Sequence, residues 1–271
     1  EIESPKGYVL SEEEIAVTIG KVDEVVEIEL VNYFIKGNIA LTKVDEDYPD
    51  NKLSGAVFEV YSDTNGDGKL DKDDTLLGEM KELDGGVYQM SELRYGKYLV
   101  KESKAPTGFV LDEDVYAVSI EENGKTYTVE NKAGVGFINA AQKGSLKIVK
   151  TSSDGKVEDF SFRVTGVDYD KTFKTDKNGE IVIEGLRIGD YTVSEVSDKA
   201  SAGYILPADK QVTVKVDATA IVQMHNEFRD TPKTGDDFNL GLWVSLSVLS
   251  VVGAGVLGFV GYKNRKKKKE D

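Results

Sequence analysis

Apolar and polar residues alternate along most of the chain in short runs rich in Val, Ile, Tyr and Thr. Turn sequences such as Asp84-Gly85-Gly86 and Lys177-Asn178-Gly179 separate these runs. Alternation of this kind is typical of strands that bury one face, and no stretch before residue 238 has the spacing of an amphipathic helix. The pattern predicts an all-β fold built from β-sandwiches.

One sequence unit occurs three times. Its copies read EIESPKGYVL from Glu1, ESKAPTGFVL from Glu102 and EVSDKASAGYIL from Glu195. Each copy leads into an alternating segment and a strand that ends in Asn, at Asn32, Asn139 and Asn226. The related openings GNIALTKVD and GSLKIVKTS precede only the second and third copies. The predicted divisions are the end of one repeat at 1–36, complete repeats at 37–143 and 144–229, and a different C-terminal region at 230–271.

Three polar residue types fall on the apolar face of their strands. Because residues two apart share a sheet face, each complete repeat should point a Lys, a Glu and an Asn toward its core. These residues are Lys43, Glu102 and Asn139 in the second repeat, and Lys150, Glu195 and Asn226 in the third. A single residue of this kind is usually a strand-end side chain that reaches solvent. Its recurrence in both repeats favours burial.

Buried Lys, Glu and Asn side chains need partners, because an unpaired internal charge costs several kcal/mol. Burial lowers the pKa of Lys and raises that of Glu, which leaves a neutral amine beside a protonated carboxyl. A neutral amine is a nucleophile, and the Glu can polarise the Asn amide and move protons as ammonia leaves. The pattern therefore predicts an isopeptide bond between Lys and Asn.

The phrases KESKAPTGFVLD and FIN resemble the B-type repeats of collagen-binding adhesins and the prealbumin-like domains of Spa-type pilins. The resemblance extends up to the C-terminal region and implies prealbumin-like or Ig-like sandwiches that join their first and last strands by such bonds. The third repeat departs from it by two extra residues after its Glu. Each bond forms once within its own domain, so we expect no enzyme. The implied groups are Lys43 with Glu102 and Asn139, Lys150 with Glu195 and Asn226, and Glu1 with Asn32, whose Lys would precede this sequence.

The second repeat carries an acidic insertion, DTNGDGKLDKDD, between its Lys and its Glu. The insertion matches the twelve-residue calcium loop, with Gly68 at the sharp turn. The predicted Ca²⁺ ligands are Asp63, Asn65, Asp67, the carbonyl of Lys69, Asp71 and Asp74. Asp at the last position, and strands instead of helices around the loop, differ from an EF-hand. The alternative is an acidic turn that is merely solvated.

The C-terminal region has three parts in a fixed order. An uncharged stretch at 238–262 exceeds the roughly 20 apolar residues that a transmembrane helix needs, and the basic tail after it indicates a cytoplasmic C-terminus. The part before it is Thr231, Pro232, Lys233, Thr234 and Gly235. This order resembles the LPxTG-type sorting signal of Gram-positive surface proteins, with Thr231 in the usual Leu position. The resemblance implies that a sortase cleaves after Thr234 and joins it to peptidoglycan or another pilin subunit.

Composition narrows the possible partners. The formal net charge of -15, despite a basic tail, argues against nucleic-acid binding. The chain has no cysteine, so disulfides cannot stabilise its domains outside the cell. It begins at Glu1 without a signal peptide, and we expect a longer precursor.

Together these features predict an extracellular protein that is anchored to the cell wall and inserted in the membrane only before sorting. We favour the stalk of an adhesin, whose region upstream of Glu1 binds a host or cell-surface ligand. One alternative is a pilus subunit, at the tip, base or shaft, that a sortase polymerises. The stretch Asp47–Asn51 resembles the polymerising motif of pilins but lacks its Lys. The other alternative is a single-pass membrane receptor that keeps its helix.

Overall fold

The computed structural model describes residues 1–229, and the predicted sorting signal and transmembrane helix lie outside that range. Within residues 1–229 the chain forms seventeen strands and no helix, which confirms the prediction of an all-β fold. Accordingly, this part of the chain has no helix with the length and hydropathy to cross a membrane.

The second repeat is a sandwich of two sheets. Its strands are β1 (Lys36–Asp45), β2 (Val57–Ser62), β3 (Thr75–Glu79), β4 (Lys81–Glu82), β5 (Val87–Arg94), β6 (Gly96–Lys104), β7 (Val115–Ile120), β8 (Thr126–Thr128) and β9 (Phe137–Asn139). One sheet has the order β4-β5-β1-β8, with β9 also paired to β1, and the other has the order β3-β2-β6-β7. Apolar side chains from both sheets, such as Ile39 and Phe58, form one buried core.

The third repeat has the same construction. Its strands are β10 (Lys143–Ser152), β11 (Ser161–Gly166), β12 (Tyr169–Lys174), β13 (Glu180–Arg187), β14 (Gly189–Glu195), β15 (Tyr204–Ile205), β16 (Lys210–Val214) and β17 (Thr219–Phe228). The sheets have the orders β13-β10-β17-β15 and β12-β11-β14-β16. Leu146 and Phe162 are fully buried between them.

The first and last strands of each complete repeat are parallel neighbours. In the third repeat, β10 and β17 pair without interruption from Ser145↔Thr219 to Ser152↔Asn226. In the second repeat, β1 pairs first with β8 and then, at Lys43 to Asp45, with the short strand β9. This topology brings the residues at the ends of the first and last strands together.

Residues 1–35 form no regular strand, and an isolated β-bridge joins Tyr8 to Phe34. A strand needs a hydrogen-bonded neighbour, and none of the strands between residues 36 and 229 pairs with this segment. The predicted strand ending at Asn32 is therefore not formed. Its alternating apolar residues, including Ile28 and Leu30, are exposed.

Candidate functional site

The polar side chains that the alternation points inward are all buried, as predicted. They are Lys43, Glu102, Asn139, Lys150, Glu195 and Asn226. The pattern is clear in β17, where Asn226 is buried while the neighbouring His225 is exposed. The structure therefore confirms that strand alternation, and not the hydrophobicity of each residue, decides which side chains enter the core.

In each repeat the Lys and the Asn lie on adjacent parallel strands, two register positions apart. The register pairs are Lys43↔Phe137 and Asp45↔Asn139 in the second repeat, and Lys150↔Met224 and Ser152↔Asn226 in the third. A Lys side chain is long enough to span this offset along the strand. The same offset in both repeats indicates that the arrangement is built into the fold.

A glycine turn holds the backbone of each Lys. The N–H of Lys43 donates to the carbonyl of Gly86 at 2.7 Å, and that of Lys150 to the carbonyl of Gly179 at 2.8 Å. Both glycines have positive φ, at 76° and 78°. A Cβ on Gly86 would lie 2.7 Å from the carbonyl oxygen of Leu53, and one on Gly179 would lie 2.7 Å from that of Lys150. Only glycine fits at these two turns.

In the second repeat the Glu carboxylate contacts the Asn amide directly. Asn139 Nδ2 donates to both carboxylate oxygens of Glu102, at 3.0 and 2.8 Å, and Glu102 Oε2 also accepts from the N–H of Asp112 at 2.8 Å. Lys43 Nζ donates to the carbonyl of Phe137 at 3.0 Å and lies 5.4 Å from the centre of its ring. Among residues 1–229, no group donates a hydrogen bond to Asn139 Oδ1.

The third repeat has the same contact between Glu and Asn, with fewer hydrogen bonds. Asn226 Nδ2 donates to Glu195 Oε1 at 2.7 Å. Lys150 Nζ donates to the carbonyl of Thr151 at 2.6 Å and lies 4.1 Å from the centre of the Phe160 ring. Glu195 Oε2 and Asn226 Oδ1 find no hydrogen-bond partner in the part of the chain that the structure describes. The carboxyl and the amide are therefore close together but only partly satisfied.

The first copy of the unit keeps the Glu–Asn contact at the surface. Asn32 Nδ2 donates to Glu1 Oε1 at 2.8 Å, and the N–H of Ser11 donates to Glu1 Oε2 at 2.9 Å. These hydrogen bonds lower the pKa of the exposed Glu1. In Glu102, which makes equivalent bonds, burial has the larger effect and raises the pKa. Burial, and not the hydrogen-bond pattern, distinguishes the two carboxyls.

Burial shifts the pKa values in both complete repeats toward neutral groups. It lowers the pKa of Lys43 to about 8, although the negative charge of Glu102 acts in the opposite direction. It raises the pKa of Glu102 despite the hydrogen bonds that the carboxylate accepts. The directions are the same for Lys150 and Glu195. Both shifts favour a neutral amine beside a protonated carboxyl, which is the pair that amide chemistry requires.

The predicted calcium loop is the turn between β2 and β3. The carboxylate of Asp63, only 7 % exposed, accepts the N–H groups of Gly66 at 2.6 Å and Gly68 at 3.1 Å. Asn65 Nδ2 donates to Asp71 Oδ2 at 3.0 Å. Both oxygens of the last predicted ligand, Asp74, accept backbone N–H groups of the same loop.

Hydrogen bonds thus fold this loop around its own carboxylates. No group of three or more His, Cys, Asp or Glu residues within 1–229 is arranged to hold a metal ion. Asp67 follows the same pattern as its neighbours, because its Oδ1 accepts the N–H of Lys69 at 2.9 Å. Calcium binding would therefore require the carboxylates to exchange backbone donors for the ion, and it stays a prediction.

Sequence reasoning missed three residues around these sites. Asp112 and Asn131 form hydrogen bonds beside Glu102 and Asn139, and Arg187 links the two complete repeats. Asp112 had a detectable signal, because it follows Glu102 by the same interval at which Ser11 follows Glu1. Asn131 had none, since it lies in a loop without a counterpart in the third repeat.

Comparisons with known proteins agree with this architecture. A family model described as the SpaA prealbumin-like fold domain matches residues 37–133 and 144–228. No curated protein matches the chain. The structure of the Bacillus anthracis TIE protein is 26% identical, with a TM-score of 0.63, over 84% of this chain. The match spans 40% of the TIE chain.

Two further solved structures are more distant. The minor pilin GBS52 of Streptococcus agalactiae is 19% identical with a TM-score of 0.33, and the match covers 73% of this chain and 98% of the pilin. The shaft pilin spaA of Lactobacillus rhamnosus GG is 13% identical with a TM-score of 0.32, and the match covers 72% of this chain and 98% of the pilin.

Proposed function

The chain belongs to the SpaA family of prealbumin-like fold domains, and we propose that its repeats form the self-crosslinked stalk of a sortase-anchored surface protein. One observation carries this proposal. In both complete repeats a Lys and an Asn are buried on the neighbouring first and last strands, and a buried Glu accepts a hydrogen bond from the Asn.

The proposed reaction joins the Lys amine to the Asn side chain with loss of ammonia. In the second repeat, neutral Lys43 Nζ attacks Asn139 Cγ, and the bond between Cγ and Nδ2 breaks. A half-turn of the Asn139 amide would bring Oδ1 against Glu102, where the protonated carboxyl donates to it and polarises the carbonyl. The carboxylate then accepts a proton from the attacking amine, and the same carboxyl protonates the leaving nitrogen. Each repeat releases one ammonia.

The crosslink suits a protein that bears mechanical load outside the cell. By analogy with a disulfide, closing a loop of roughly 100 residues restricts the unfolded chain by about 4 to 5 kcal/mol. The bond joins the first strand to the last, so tension entering one end of the repeat leaves at the other through covalent bonds. Thiol reductants do not cleave it, and the chain has no cysteine to provide an alternative.

The proposed anchor is the sorting signal of the sequence. A sortase would cleave after Thr234, release the segment at 238–262 and its basic tail, and join the stalk to peptidoglycan. The stalk would then lie outside the cell and present an upstream region that binds a host or cell-surface ligand. The acidic composition fits a solvated, extended surface protein. In this role the repeats are structural and catalyse no turnover.

Calcium would strengthen the second repeat within the same stalk. Asp63, Asn65, Asp67, Asp71 and Asp74 supply the oxygen ligands that this ion prefers, together with the carbonyl of Lys69. The bound ion would neutralise carboxylates that now repel one another in one loop. The expected affinity is that of extracellular sites, in the range of about 10⁻⁴ to 10⁻³ M.

Intact-mass measurement and peptide mapping of the wild-type chain and two variants test the crosslinks. The full chain should have a mass lower than its sequence by one ammonia per complete repeat, and peptide mapping should find Lys43 joined to Asn139 and Lys150 to Asn226. Glu102→Ala should restore the ammonia of the second repeat only, and Glu195→Ala that of the third only. A wild-type mass equal to the sequence would overturn the proposal and leave two hydrogen-bonded polar clusters.

The C-terminus of the mature protein distinguishes the stalk from its alternatives. A sortase substrate on the wall should end at Thr234 joined to a peptidoglycan fragment. A pilus subunit would instead form a ladder of covalent multimers on a denaturing gel, and a membrane receptor would keep its basic tail.

A further inference from the structure

The proposed acceptor of the second repeat lies on an unusually short strand. Asn139 ends β9, which pairs with β1 at three positions only. Its counterpart Asn226 lies on β17, which pairs with β10 at eight positions. Residues 129–136 separate β8 from β9, so the sheet does not hold β9 through a continuous strand. Other contacts must fix the position of Asn139.

The side chain of Asn131 provides these contacts. Its Oδ1 accepts the N–H of Ile138 at 2.6 Å, and its Nδ2 donates to the carbonyl of Ile138 at 2.8 Å. Ile138 immediately precedes Asn139, whose own carbonyl accepts the N–H of Glu46, the residue after β1. One side-chain amide therefore replaces a neighbouring strand on the edge of β9 that faces away from β1.

Asp112 connects Asn131 with the proposed proton shuttle. Its Oδ2 accepts from Asn131 Nδ2 at 2.7 Å and from the hydroxyl of Tyr116 at 2.8 Å. Its N–H donates to Glu102 Oε2 at 2.8 Å. The Tyr116 ring also packs edge-on against Phe137 in β9, with the ring centroids 5.1 Å apart. A single residue thus touches both the carboxyl and the support of the acceptor strand.

The other copies of the unit lack this connection. In the first copy, the N–H of Ser11 reproduces the backbone bond to Glu1 but brings no carboxylate. In the third repeat, Glu195 Oε2 has no partner within residues 1–229, and the long strand β17 holds Asn226. The Asp112–Asn131 pair therefore accompanies the short strand.

We propose that Asn131 and Asp112 are positioning residues for the crosslink between Lys43 and Asn139. This inference rests on the proposed function. Asn131 fixes the backbone next to the acceptor. The Asp112 carboxylate holds Asn131, and the backbone N–H of the same residue aligns Glu102. Attack on an amide requires the reacting atoms near van der Waals contact, and a misplacement of about 1 Å can slow such a reaction about 100-fold.

Refolding kinetics of the full chain test the proposal. The chain is first prepared in denaturant before its crosslinks have formed, by chemical synthesis or by denaturing it immediately after translation. It is then refolded, and peptide mapping of timed samples measures how much of each crosslink has formed. Asn131→Ala and Asp112→Ala should slow crosslinking in the second repeat about 100-fold, while the third repeat of the same molecule keeps its wild-type rate. Both substitutions of Asp112 keep the backbone N–H that donates to Glu102, but Asp112→Asn also keeps a side-chain oxygen that can accept from Asn131, so it should retain most of the rate. Tyr116→Phe, which removes one hydrogen bond from Asp112, is the matched control and should stay within a few-fold of wild type.

The pH dependence of Asn131→Asp separates positioning from packing. The substituted carboxyl has nearly the same shape, but it can donate a hydrogen bond to Asp112 only when protonated. Its rate relative to wild type should therefore rise as the pH falls, whereas a packing role would give a constant ratio. Wild-type rates in Asn131→Ala, or a constant ratio, would overturn the inference and leave the proposed function intact. Absence of the crosslink from the wild-type second repeat would overturn both.

Discussion

Arg187 in the third repeat donates two hydrogen bonds to the carboxylate of Asp45 in the second, at 2.7 and 2.8 Å. Asp45 is the register partner of Asn139, so this contact adjoins the proposed crosslink. Arg187 also donates to Asp47 at 3.0 Å. The Arg187 and Asp45 side chains are only 15% and 3% exposed, so a planar, bidentate pair shielded from solvent orients one repeat against the other.

Removing this guanidinium should uncouple the two repeats. Arg187→Ala leaves the carboxylate of Asp45 buried without its partner, and we expect a loss of roughly 3 kcal/mol in the free energy of unfolding. Calorimetry should then resolve a separate transition for each repeat. Arg163→Ala, which removes an exposed ion pair with Asp170, is the matched control and should change little. Equal effects of the two substitutions would show that the repeats are not coupled through Arg187.

The coupling should also weaken in acid. Burial raises the pKa of Asp45, but the hydrogen bonds from Arg187 and from the backbone outweigh it and hold the pKa below the ordinary value of 3.8. A carboxyl group whose pKa is lowered by folding stabilises the fold at pH values above its unfolded pKa. This contribution is lost as the pH falls through the folded pKa. In wild type, the separate transitions should therefore emerge below about pH 4. Transitions that stay merged throughout acid unfolding would contradict this assignment.

The calcium loop makes a prediction on thermal stability. Calcium at millimolar concentration should raise the melting temperature of the second repeat, because the ion relieves repulsion among the loop carboxylates. Asp63→Ala with Asp67→Ala should abolish the increase. Asp73→Ala is the matched control, since Asp73 lies in the same loop outside the predicted ligand set, and it should keep the response. A calcium response that survives the double substitution would rule out this loop as the site.

Crosslinking in the second repeat should have a bell-shaped dependence on pH. The pKa of Lys43 is lowered from 10.5 to about 8, so the neutral amine becomes available well below the pH that an exposed Lys requires. The pKa of Glu102 is raised, so the carboxyl keeps its proton to higher pH than usual. The rate should peak between the two values, fall in acid as Lys43 becomes charged and fall in alkali as Glu102 ionises. Peptide mapping after refolding across pH provides the measurement, and a steady rise toward pH 10 would indicate a solvated amine.

Strand alternation made the proposed crosslinking residues predictable from sequence. A period of two fixes the face of each side chain, and the recurrence of Lys, Glu and Asn in two repeats distinguished burial from accident. The residues that support the site could not be found in this way. Asn131 acts from an irregular loop, and Arg187 meets Asp45 across 142 sequence positions. No local periodicity encodes such contacts.

The first copy shows the limit of alternation. The segment that ends at Asn32 alternates as well as β17 does, yet it forms no strand. Backbone N–H and C=O groups of a strand must be paired by a neighbour, and alternation specifies which face is apolar without supplying that neighbour. Asn226 has such a neighbour, because β17 pairs with β10, whereas no strand within residues 1–229 pairs with the segment that ends at Asn32.

Two substitutions in the third repeat separate the stabilisation that the proposed bond provides from the cost of burying the Lys150 amine. Lys150→Met removes the amine but fills its space with an apolar side chain of similar size. Without the bond, the unfolded chain is no longer restricted by a closed loop of roughly 80 residues, so the free energy of unfolding should fall by about 4 kcal/mol. Glu195→Gln also blocks the bond but keeps the polar amine of Lys150 buried, with its hydrogen bond to the carbonyl of Thr151, so it should be less stable than Lys150→Met.

Lys147→Met is the matched control for this pair, because Lys147 lies on the same strand with its side chain on the solvent face and pairs with Glu180. Its unfolding in urea should stay near that of wild type. If the buried Lys and Glu served only as a polar cluster, Lys150→Met would be neutral or stabilising, because an apolar side chain would replace a buried amine whose hydrogen bond goes to the carbonyl of Thr151. The sign of that one substitution therefore distinguishes a covalent crosslink from a polar core.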